Sequence, residues 1–282
     1  MIESGQRVTV ESIVSEFRRV MCVCLVAASG LLTSAVEVCA QAVPSKTPAT
    51  QTPQVHPLIP AIALAKTALA KVETLSDYEG TLTKRELIGN TLTTQMMQVR
   101  VREKPFAVYL KYAAPNEGRE VLFDSSQDPA KLLVHEGAGI KSLAGTLALP
   151  IHDPRVMAEA RHPVSDLGLR RLVHLVIQQW ESESKFGEVD VKYYPNAKIG
   201  RIECEALEVT HPHPRRQFPH HQCRLFIEKA SGLPLRVQNF GFPQQAGIEP
   251  PLIEDYAYTG MKTNLGLKPL DFSRTNPAYR FQ

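Results

Sequence analysis

Four histidines, His211, His213, His220 and His221, crowd the stretch between Cys204 and Cys223. Neutral imidazoles gathered at the mouth of a hairpin are a familiar way to hold Zn²⁺ or Cu²⁺. The surroundings weaken that reading. His-x-His alone is unspecific, no carboxylate stands at ligand spacing, and Arg215 and Arg216 put positive charge where a cation would sit. The four are weak metal candidates, and a solvated basic loop able to touch anionic headgroups is the simpler account. Arg161, His162 and Asp166 precede a helix start, where backbone N–H groups favour an anion; capping is the plainer role. No Gly-x-Ser-x-Gly, His-Glu-x-x-His or Gly-rich phosphate loop occurs. No catalytic residue and no cofactor is therefore assigned. An envelope hydrolase without a recognisable motif is the remaining enzymatic alternative.

The N-terminus sets the compartment. Arg18-Arg19 stands before an apolar run from Val20 to Val36, closed by Val38-Cys39-Ala40. That pattern reads as a signal peptide over 1–40 cleaved near Ala40, and so as a periplasmic protein. Cys22, Cys24 and Cys39 leave with it, so Cys204 and Cys223 are the cysteines that remain in an oxidising compartment. If they face each other in an antiparallel pair, Glu203 faces Arg224 and Ile202 faces Leu225, both favourable across strands. A Cys204–Cys223 disulfide is expected, with two buried free thiols as the alternative. A net charge of +3 without a basic cluster argues against a nucleic-acid partner.

The elements that must position these residues follow from periodicity. Pro44, Pro48, Pro53 and Pro57 mark 41–57 as an extended leader. Ile62, Ala65, Leu69 and Val72 recur at helical spacing over 58–75. From Tyr78 the period becomes two. Met97, Val99 and Val101 share one strand face, and Phe106, Val108, Leu110 and Tyr112 share another, with Val121 and Phe123 and then Leu133 and Val134 continuing. Residues 144–154 read as loop. Ser165 then caps a helix over 166–184 carrying Leu169, Leu172, Val173, Val176 and Trp180. Strands resume over 188–194, 199–210, 222–228, 235–240 and 252–258, and Leu270-Asp271-Phe272 starts a last short helix. The order of elements predicts an α+β domain over 58–282 built on an antiparallel sheet.

Val99-Arg100-Val101-Arg102-Glu103-Lys104-Pro105-Phe106, the return strand within 115–123, and the turn Ala230-Ser231-Gly232-Leu233-Pro234 resemble the LolA-like superfamily of periplasmic lipoprotein carriers. Arg161-His162-Pro163 before Gly168-Leu169, and Tyr256-Ala257-Tyr258 before Asn264-Leu265-Gly266-Leu267, resemble a group of uncharacterised secreted bacterial proteins within it. The resemblance implies an incomplete antiparallel β-barrel, a strongly curved sheet wrapped around helices, with an apolar cavity for acyl chains. It also implies a rim position for Lys104, where the carriers have a basic residue before Pro. The expected function is a non-enzymatic periplasmic carrier of a hydrophobic or lipidated ligand such as a lipoprotein, lined by Phe106, Val108, Leu110 and Tyr112. Either face of that strand is open as the inner one. The alternative is a structural protein with a filled core that meets a membrane surface or an envelope protein.

Overall fold

The computed structural model describes residues 55–139, 143, 145–245 and 247–281. The expected signal peptide over 1–40, and the leader as far as residue 54, lie outside the described residues. Helix α1 (Leu58–Glu73) is followed by β1 (Asp77–Ile88), β2 (Thr91–Arg102), β3 (Ala107–Ala114), β4 (Glu120–Asp124), β5 (Lys131–His135) and β6 (Thr146–Pro150). The short α2 (Pro154–Met157) and α3 (Leu169–Glu183) come next, and then β7 (Asp190–Ile199), β8 (Ile202–Thr210), β9 (Gln222–Glu228), β10 (Pro234–Phe240) and β11 (Leu252–Thr263). The strands form one antiparallel sheet in the order β6-β5-β4-β3-β2-β1-β11-β10-β9-β8-β7. Its ends, β6 and β7, do not meet, so the sheet is open, as the resemblance implies.

Strand alternation fixes which face is inner. Val99, Leu110, Val121, Val134 and Leu147 are successive cross-strand partners, so one row of apolar side chains runs across β2 to β6. The residues between them point the other way. On that outer face the C-terminal tail covers Ala107, Tyr109 and Leu122 with Phe272, Tyr279 and Phe281. Tyr279 stacks on Tyr109 with centroids 3.9 Å apart. Val108, Leu110 and Tyr112 are therefore the inner residues of β3.

The two long helices share the opposite half of the sheet. Leu58, Ala61, Ile62, Ala65 and Ala68 of α1 form one core with Val173, Val176, Ile177 and Trp180 of α3 and with Leu207, Val209, Leu225 and Val237 of β8 to β10. Spacing of three and four places these side chains on one stripe of each helix, which is why the helices pack there. Helix α3 starts later than its sequence suggests, and Ser165 does not cap it. Ser165 sits in a 3₁₀ turn, Val164–Asp166, and the cap position is Gly168 at φ 96°. The sheet supplies the missing acceptors. Tyr258 takes the Gly168 N–H at 3.1 Å and Tyr78 takes the Leu169 N–H at 2.8 Å. One other expectation is corrected. Thr146–Pro150 is a strand, because Leu147 and Leu149 pair with Val134 and Leu132. Leu270-Asp271-Phe272 does lie in a last short helix, the 3₁₀ helix Pro269–Phe272.

The disulfide is also corrected. Cys204 and Cys223 are both free and buried. The β8–β9 hairpin closes at Thr210 with Gln222, so Cys223 faces Val209 and Cys204 faces Glu228. Five residues of register separate the two thiols, roughly 16 Å along a strand, far beyond disulfide reach. The apolar and opposite-charge partners of Leu225 and Arg224 are Leu207 and Glu208.

Candidate ligand cavity

Because the helices stack over β8 to β10, the inner face of β2 to β6 is left to the segment between α2 and α3. That segment bridges the gap without filling it. Beneath it lies a cavity of about 610 Å³, within the ~300–1,000 Å³ range of small-molecule sites. The floor is Met97, Leu110, Val121, Leu132, Val134 and Leu149; the roof is Val156, Val164, Leu167, Leu172 and Val176. None of these side chains carries a hydrogen-bonding group, so an apolar occupant would displace water without leaving a polar partner unpaired.

Charged groups gather at two places on the wall. At the first, Arg119 donates to Glu136 (2.9 Å) and Glu159 (2.5 Å) while its guanidinium lies 5.5 Å from the centre of the Tyr112 ring. Burial pushes the Tyr112 phenol up to about 12, with Arg119 working against it. At the second, β1, β10, β11 and the bridging segment converge. Lys84 pairs with Glu86 at 2.9 Å. Glu86 accepts from the Tyr256 hydroxyl, which also lies 3.3 Å from Glu254. Glu254 accepts from His162 (2.9 Å) and Asn239 (2.7 Å), and Arg161 approaches it at 3.4 Å. The Arg161 backbone N–H reaches Glu86 at 3.3 Å.

The electrostatics of this cluster follow from burial and pairing. Burial opposes ionisation of Glu254, but the hydrogen bonds from His162 and Asn239 outweigh it and hold the carboxyl at about 2. The same bond to Glu254 raises His162, against its partial burial. Burial drives the Tyr256 phenol far up, and the two carboxylates beside it add to this, so it stays a neutral donor. His220 is pulled down by burial and stays neutral. The Cys223 thiol, also on the cavity wall, is raised by burial and is a poor nucleophile.

The sequence-derived candidates divide. Leu110 and Tyr112 line the cavity. Val108 is fully buried in the core beneath it, and Phe106 packs against that core, 6.0 Å from Phe123. Lys104 is exposed in the β2–β3 turn, at the other end of β3 from Tyr112 and Arg119. It does not line this cavity. The histidines disperse. His211 is buried, stacked on Phe218 at 3.8 Å and bonded to the Glu188 carbonyl; His213 is exposed; His221 bonds the His211 carbonyl; His220 lines the cavity. Among the described residues no three His, Cys, Asp or Glu side chains are grouped to hold a metal. Arg161, His162 and Asp166 are spent on Glu254, Glu86 and Arg171 instead of waiting for an anion.

Sequence reading missed Glu86, Asn239 and Glu254, of which Glu86 on β1 lies far along the chain from the other two on β10 and β11. A faint signal exists. Lys84 and Glu86 share the inward parity of Leu82, and Glu254 shares that of Tyr256 and Tyr258.

The fold overlaps three solved structures at low identity. An uncharacterized conserved protein from Thermus thermophilus is 11% identical over 76% of this chain and 92% of that one, with a TM-score of 0.41. The lipoprotein LppX of Mycobacterium tuberculosis is 13% identical over 74% and 98%, TM-score 0.42. A LolA superfamily protein of Nitrosomonas europaea is 11% identical over 75% and 96%, TM-score 0.34. The cavity, not these overlaps, carries the functional reading. No curated protein matches this sequence. Residues 75–281 do match a family, described as a protein of unknown function (DUF1571), and the chain belongs to that family.

Proposed function

We propose that this protein is a non-enzymatic carrier that holds a hydrophobic, acyl-bearing molecule in the periplasm. One observation supports it most: the helices cover half of the sheet, and the other half faces an unfilled space floored by Leu, Val and Met side chains. A structural role resting on a filled core and an envelope-protein partner is the competing reading, and that space is what it does not explain. Burial of an acyl chain is favourable by about 0.8 kcal/mol per methylene, so a chain of ordinary length would be held usefully. The periplasmic location rests on the sequence pattern of residues 1–40. A non-enzymatic role is favoured because the buried carboxylates on the wall are committed to partners and the wall thiol is held protonated.

Native mass spectrometry and solvent extraction of protein purified from periplasm test the reading. An acyl-bearing molecule should accompany the protein and be displaced by a fluorescent acyl probe. Protein that carries nothing and ignores such probes would leave the structural role.

A further inference from the structure

The cavity wall is unevenly committed. Each cation on it has a carboxylate partner: Lys84 with Glu86, Arg119 with Glu136 and Glu159, Arg155 with Asp153, His162 with Glu254. An anionic headgroup entering here would have to displace one of these carboxylates and would meet Glu86, Glu254 and Asp166 as like charges. Two neutral groups are not committed. Asn239 is 9% exposed, and with its amide nitrogen donating to Glu254 its carbonyl oxygen has no partner among the described residues. A buried acceptor left unpaired costs free energy until something donates to it. His220 makes no hydrogen bond among the described residues, and its neighbour His221 donates its backbone N–H at 2.8 Å to the carbonyl of Phe240, the residue after Asn239. Both residues lie on the cavity wall.

We infer that the ligand carries an uncharged headgroup with hydrogen-bond donors, hydroxyl or amide N–H, which docks on the Asn239 carbonyl and the His220 imidazole while its apolar tail lies over Leu110 and Val121. This rests on the carrier reading and narrows it. A free fatty acid or a phosphate-headed lipid meets like charge on the wall, and an alkylammonium meets carboxylates whose charge is already taken up by Lys84, Arg119, His162 and Arg171. The inference also gives Asn239 a role: a polar side chain kept in an otherwise packed strand, with one atom tied to Glu254 and the other facing the ligand.

The test is competition at pH 7.5 against a fluorescent monoacylglycerol bound to the full mature protein. The competitors are 1-monopalmitoylglycerol, palmitate and hexadecylammonium, which share a tail length. Monopalmitoylglycerol should compete about tenfold better than either ion, the scale of one or two neutral hydrogen bonds. Asn239→Leu and, separately, His220→Phe should bring the three competitors to within about twofold of one another. His220 is only partly buried, so its variant keeps the test valid if Asn239→Leu fails to fold. Palmitate or hexadecylammonium binding as well as the glyceride in the wild type, or full selectivity in the His220→Phe protein, would overturn the headgroup assignment and leave the carrier reading standing. Failure of the probe and of all three amphiphiles to bind would overturn both.

Discussion

Glu254 is the residue on which the cluster turns, since His162, Asn239, Arg161 and Tyr256 all address its one carboxylate. Its folded value near 2 lies below an ordinary carboxyl near 4.5. A depressed carboxyl stabilises the fold above its unfolded value, and that contribution disappears as pH falls from about 4.5 through about 2. His162 has the opposite sign. Raised in the fold, it stabilises fully below its ordinary value of 6.5 and stops doing so as pH rises through its elevated folded value. Melting temperature measured against pH should therefore fall at both ends. In His162→Gln the decline that sets in above pH 6.5 should flatten. An unchanged slope there would remove His162 as its source. The thiols give a second prediction. Without reductant, iodoacetamide should leave native Cys204 and Cys223 nearly untouched and label both after denaturation, because both are buried and raised above the usual thiol value. A mass two hydrogens lighter would show a bond that the register forbids.

At the scale of elements, the start of α3 is where sheet and roof are joined, and Gly168 is the joint. Its φ of 96° suits glycine, and an added Cβ would come within 3.0 Å of the Tyr78 hydroxyl. Gly168→Ala should cost roughly 1–3 kcal/mol in chemical denaturation. Tyr78→Phe should cost about as much, because it leaves the buried Leu169 N–H unpaired. Most elements of this fold were legible beforehand. Period two marked β2 to β5 and β9 to β11, and the stripe from Ile62 to Val72 marked α1. Hairpin register was not legible. The Pro- and His-bearing loop after Thr210 takes eleven residues out of β-pairing, and nothing in a symmetric reading of the two cysteines reveals how unequally it divides them. Inward polarity was half legible, since β3 offered two apolar faces. The tail that covers Tyr109 comes from the far end of the chain. Beyond the inward parity of Lys84, Glu86 and Glu254, the polar cluster was not legible, because it is a product of strand order, which brings β1 beside β11 and β11 beside β10.

The whole molecule separates the tail-covered face of the sheet from the face of the proposed binding cavity. Tail and cavity lie on opposite sides of the sheet, and Tyr279 and Phe281 are nearly or fully buried. Phe281→Ala should lower stability by about 3–5 kcal/mol while leaving the dissociation constant for an acyl probe unchanged. Leu110→Trp should do the reverse, filling the floor and weakening probe binding at least tenfold with a smaller change in denaturation midpoint. Coupled losses in both assays for Phe281→Ala would mean that the faces are not independent.

The open order of the sheet has a consequence for how the proposed cargo would enter. In a closed barrel, widening the interior breaks a ladder of strand–strand hydrogen bonds or strains all of them. Here β6 and β7 are the two edge strands and share no ladder, so they can move apart without breaking a β6–β7 hydrogen bond. Unpaired edges invite another chain to add to them. One edge is short, with β6 ending at Pro150, and the other is interrupted, with a break in register near Pro195 and Lys192 and Lys198 exposed along β7. The same open edges that would let the proposed carrier stretch around tails of different length are thus guarded against becoming a nucleus for aggregation.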